Sequence, residues 1–154
     1  MSSDVVEVRD LYDAASGAAR RAVDDGSGTG DVVDHIAPAG EWDVVTASYL
    51  GDIVVQGALW GAVDALRARG VSAPAVMSAG TALRPAASDP DDWGAAAEWL
   101  ATALEPGNDP YATDDALATE MVHRWERGTP RVRSLVVAIV DVATRAAAAR
   151  RSAS

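Results

Sequence analysis

Ser48, Asp52 and Gln56 recur every four residues inside an apolar run, and they are the side chains through which this chain could do chemistry. A helix places them on one line, and Val45, Leu59 and Val63 fall on the same line. Tyr49 sits beside Ser48. An isolated carboxylate is not tolerated in an apolar setting, so Asp52 must be paired or protonated if that face is buried. One reading is a structural knot, with Ser48, Tyr49 and Gln56, or an Arg, satisfying Asp52. The other is a small polar pocket in which Asp52 binds a ligand or serves as a general base of raised pKa. The third is a narrow exposed strip or a subunit contact.

Each of the two histidines has a carboxylate about one helical turn away, Asp31 for His35 and Glu120 for His123. The run Glu120-Met121-Val122-His123 resembles the Glu-x-x-His motif of ferritin-like di-iron proteins, whose side chains project into a bundle. The likeness spans four residues. The family pattern asks for a second such motif and two more Glu, and Asp31-Val32-Val33-Asp34-His35 departs from that spacing. Direction matters as well. Leu117, Met121 and Trp125 share the apolar side of their helix, while His123 lies roughly opposite, beside Glu120 and Arg127. His35 lies off the side made by Val32, Val33 and Ile36. Both pairs read as surface ion pairs worth under about 1 kcal/mol. The metal alternative is a zinc site of two His and two carboxylates drawn from two helices.

Arg124, Arg127, Arg131 and Arg133 bracket Gly128-Thr129-Pro130, where a helix start offers free N–H groups. Together they suit a phosphate or a partner's carboxylate, unless the chain's own acids pair them. Tyr111, flanked by Asn108, Asp109 and Pro110, reads as a loop residue that either contacts a partner or covers the edge of its own core.

Composition removes whole classes of chemistry. There is no Cys, so disulfides, thiolate zinc sites, iron–sulfur clusters and cysteine nucleophiles are excluded. There is no Lys either, which excludes Schiff-base catalysis and a P-loop lysine. Phe is absent and five Trp supply most of the aromatic bulk. The Gly-rich stretch 26–30 has no strand before it and no Lys after it, and reads as a turn. Ala and Arg in abundance without Lys suggest the coding bias of a high-GC bacterium. No cofactor is expected.

The net charge of −10 is unevenly spread. Residues 1–119 hold 20 acids against 6 Arg, and residues 120–154 hold 3 acids against 7 Arg. The main surface should repel nucleic acid, and the basic C-terminal helix alone suits an acidic partner. No signal peptide is visible in MSSDVVEVRD. Positions 44–63 approach the length of a membrane span, but a mid-segment charge such as Asp52 costs about 2.5–3.5 kcal/mol on insertion scales. A cytoplasmic protein with no membrane association is expected.

Periodicity assigns nearly all of these residues to helices. The spacing predicts helices over 4–25, 31–37, 41–69, 72–83, 89–104 and 113–127, and a last one starting at Thr129-Pro130. The helix over 41–69 is apolar almost all round, which suits a bundle's centre. Its Gly51, Gly57, Ala58, Gly61 and Ala62 permit close approach by a neighbour in the same chain, or by the same helix of a second subunit about a two-fold axis. The expected fold is all-α, a single-domain bundle of six or seven helices over 1–154 packed around 41–69, with a frayed tail at 147–154. The expected function is non-enzymatic: an adaptor, regulatory or assembly protein that contacts protein partners and forms homo-oligomers. The alternatives are a ligand-binding or catalytic bundle around Asp52 and a carboxylate–histidine metal protein.

Overall fold

Gly57 and Gly61 of one helix lie against the backbone of another, and the bundle is built outward from this seam. A computed structural model of the chain describes residues 8–25, 50–83, 90–105, 107, 110–126 and 132–153. These form six α-helices and no strand: α1 (Val8–Asp25), α2 (Leu50–Ala68), α3 (Ala73–Leu83), α4 (Pro90–Leu104), α5 (Pro110–Glu126) and α6 (Val132–Ala153). The expected helix 31–37 and the first part of the expected helix 41–69 lie outside the described residues.

The α1–α2 seam runs parallel. Tyr12 meets Gly57, Ser16 meets Gly61 and Asp24 meets Arg69, a constant offset along both helices. A Cβ at Gly57 would stand 2.6 Å from the Tyr12 carbonyl oxygen, and one at Gly61 would collide with the Ser16 backbone. Small residues are therefore a condition of this seam. Ala15, Ala18, Ala19 and Ala22 of α1 and Ala58 and Ala62 of α2 are buried alongside it. Of the two partners open to the small-residue face, a neighbour in the same chain occupies Gly57 and Gly61.

Two helices share the interior. Helix α2 packs against α1, α4, α5 and α6, and α6 packs against α1, α2, α3 and α4. An apolar stripe along α6 is buried throughout, from Val132 and Leu135 to Ala146, and Ala138, Val140 and Ala147 widen it. Helical structure continues to Ala153, across the stretch read as a frayed tail. Within α6 the Thr144 hydroxyl is buried without a hydrogen-bond partner.

Helix ends follow local chemistry. Gly70, at φ 68°, ends α2 in a Schellman turn: Val71 N–H donates to the Leu66 carbonyl at 3.0 Å and Gly70 N–H to that of Arg67 at 3.1 Å. The Ser72 hydroxyl accepts from Ala75 N–H at 3.3 Å and caps α3. Gly80, a weak helix former inside α3, is needed there because a Cβ would lie 2.5 Å from that of Ala97 on α4. Pro90 and Pro110 each take the first position of their helices, which their fixed φ favours. The second of these corrects the expected loop: α5 begins at Pro110, so Tyr111 lies within its first turn, and Thr113, where this helix was expected to start, is a buried residue inside it.

Candidate functional site

The outer side of α2 carries Ile53, Gln56, Trp60, Asp64 and Arg67 at three- and four-residue intervals, and with Ala68 these are its half-buried and exposed positions among the described side chains. Leu59 and Val63, on the line drawn through Gln56 from the sequence, are fully buried. Gln56 therefore belongs to a strip that opens toward solvent.

Helix α5 runs beside this strip. Gln56, Ala112, Asp114, Asp115 and Ala118 line an open groove of about 560 Å³ between the two helices. The Trp60 indole N–H donates to Asp114 Oδ1 at 2.7 Å, which holds the ring at the groove's edge. The Arg67 guanidinium lies 5.9 Å from the centre of that ring, at the outer range of a cation–π contact. Its Nη2 also donates to the Ala103 carbonyl at 2.8 Å, near the end of α4. Arg69 does the same for α1, donating to Asp24 Oδ1 at 2.8 Å and to the Asp24 carbonyl at 2.9 Å. Two Arg two residues apart thus bind the C-terminal ends of two neighbouring helices, where the dipole favours cations.

Acids surround the groove. Burial raises the Tyr12 phenol above its ordinary 10.0, and the charges of Asp114, Asp64 and Asp13 push it in the same direction. The groove thus brings together an amide, two carboxylates and an anchored indole, beside a half-buried phenol. These groups suit a cation presented by a chain lying across the surface. An open groove does not bury most of a small ligand, as enclosed pockets do.

No family model, curated protein or solved structure matches this chain.

Of the residues singled out in the sequence, Gln56 alone has a described side chain in the groove. Asp52 lies in α2 one turn before Gln56, with its side chain outside the described residues, and Ser48 and Tyr49 lie outside them entirely. Arg127, Arg131, His35 and Asp31 fall outside as well, as do the side chains of Tyr111, Arg124 and Arg133. His123 is exposed, with Nδ1 4.0 Å from Glu126 Oε2, a carboxylate on the other side of it from Glu120. Among the described residues no three His, Asp or Glu converge as metal ligands. Among them, too, no helix is long and apolar enough to cross a membrane.

Sequence reasoning missed Trp60, Asp114 and Asp92. Asp92, in the first turn of α4, is fully buried and its Oδ2 accepts from the Ser134 hydroxyl at 2.7 Å. The signal for Trp60 was its place one turn after Gln56. Asp114 carried none, because its partner is 54 residues away.

Proposed function

We propose that this chain works without catalysis, as a helical module that binds a protein partner through the α2–α5 groove. The observation that supports this most is the groove's form: open, lined by Gln56, Asp114 and Asp115, and edged by an indole that Asp114 holds in place. An Arg or Lys side chain of an extended partner segment matches it, since the guanidinium or ammonium meets carboxylates while its stem lies on Ala112, Ala118 and Trp60. The net charge of −10 would draw such a partner in. The setting is a bacterial cytoplasm, a reading that rests on composition, and self-association belongs to the same reading.

Titration with an Arg-rich peptide, followed by amide chemical shifts, tests this. The expected result is shifts confined to α2 and α5, binding that weakens as salt rises, and loss of binding in Asp115→Arg. A peptide that leaves these helices unmoved at low salt would overturn the proposal. A saturating response to free arginine alone, at the same residues, would favour the ligand-binding alternative.

A further inference from the structure

Helix α5 meets the bundle along a single line. Among its described side chains Thr113, Leu117 and Met121 are buried, one every four residues, while Ala112, Asp115, Ala116, Thr119 and Val122 are exposed. It packs chiefly against α2 and α4, whereas the other outer helices, α1 and α3, also reach α6. Close backbone seams hold those two in place. Gly57 and Gly61 bring α1 onto α2, and Gly80 brings α3 onto Ala97 of α4. Helix α5 contains no glycine, so side chains alone set its distance from its neighbours. The open groove of about 560 Å³ runs along its α2 side. Gly107, at φ 77° and with nothing close to where a Cβ would stand, lies between α4 and α5 in the chain.

An element with few buried apolar contacts and much exposed surface opens at lower cost than the core it rests on. Releasing α5 gives up one buried line of side chains and the Trp60–Asp114 hydrogen bond, which joins α2 to α5. It leaves the α1–α2 seam and the buried stripe of α6 as they are. We infer that α5 is a movable wall of the groove: it leaves α2 and α4 as a unit while the other five helices stay folded, and the groove exists only when α5 is docked. What this does for the site rests on the proposed function. A partner's cation that touches Gln56 on α2 and Asp114 or Asp115 on α5 binds the docked form alone, so its binding holds α5 shut. The free chain thus alternates between an open and a docked form, and the partner selects the second.

Amide hydrogen exchange on the full chain, read by NMR over a range of low denaturant concentrations, tests the inference. Protection factors in α5 should lie at least about tenfold below those between Val54 and Val63 of α2 and between Leu135 and Val142 of α6. They should also change little with denaturant while those of α2 and α6 fall. Trp60→Phe should speed exchange in α5 about fivefold, because opening parts the two ends of that hydrogen bond. Hexa-arginine at about ten times its dissociation constant should slow α5 exchange roughly tenfold. Helix α5 amides that share the protection and denaturant slope of α2 and α6 would overturn the inference. An unchanged α5 rate in Trp60→Phe would do the same, as would a bound peptide that leaves α5 exchanging as fast as before. A peptide that fails to bind rejects the proposed function instead, and the movable wall then stands or falls on exchange in the free chain.

Discussion

On its α1 side, α2 presents Gly57 and Gly61 to a backbone; on its α5 side, it presents Gln56 and Trp60 to carboxylates and to solvent. The first side has no side chain that can turn aside, so it admits one packing and one neighbour. The second is built from long side chains held by individual hydrogen bonds, and these can readjust when something docks. The difference teaches where this bundle is specified and where it is free. A backbone contact defines the fold, while the polar strip one helix face away is available for recognition.

The comparison breaks most sharply at Gly61. Gly61→Ala should destabilise the fold by about 2–3 kcal/mol, because the new methyl meets the Ser16 backbone and the helices must separate. Chemical denaturation measures this, and a neutral result would mean the seam yields. On the other side, Trp60→Phe keeps an aromatic ring, smaller than the indole, and loses the hydrogen bond to Asp114, and a cost of about 1 kcal/mol is expected from the same experiment. A loss as large as that of Gly61→Ala would show that the strip is as rigid as the seam.

Gly17 sharpens the argument by reversing the sign. It lies mid-α1, and its Cβ would be 3.7 Å from an Arg21 nitrogen, an ordinary contact. Gly17→Ala should raise the unfolding midpoint by the equivalent of about 0.5–1 kcal/mol, from helix propensity alone. The smallest effect is expected at Tyr12, where Tyr12→Phe should leave stability near neutral pH almost unchanged. The folded phenol binds its proton more tightly than the unfolded one. Its contribution is therefore complete below the unfolded value of 10.0 and falls as pH rises through that value toward the raised folded one. The wild-type chain should lose stability more steeply than Tyr12→Phe on that alkaline limb, and parallel pH curves would contradict the shift.

Local patterns made most of the helices legible. Gly70 marked the end of α2, Ser72 and Pro74 the start of α3, and the apolar stripe of α6 is buried as its spacing requires. The α5 start was misread because Tyr111, flanked by Asn108, Asp109 and Pro110, was placed in a loop, when a Pro preceded by Asp can begin a helix as Pro90 does. The groove was legible only at Gln56. Its other residues come from α5, and pairing them with α2 depends on tertiary packing that no one-turn spacing encodes. Wheel geometry puts Gln56 and Leu59 on one line but does not give the boundary between the buried and open strips, which depends on which neighbours arrive and how closely.

Thr144 points to slack in an otherwise closely fitted helix. Its hydroxyl has given up water and received nothing in return, so a methyl of the same shape would serve the interior of α6 better. Thr144→Val should raise the melting temperature modestly in a calorimetric scan, and a lower one would mean that the hydroxyl finds a bond in solution. Natural chains sit somewhat above the stability they need, and improvements of this kind remain open until selection demands them. This one would give the chain a margin to spend on riskier changes in the groove, where new binding habits tend to begin at the expense of stability.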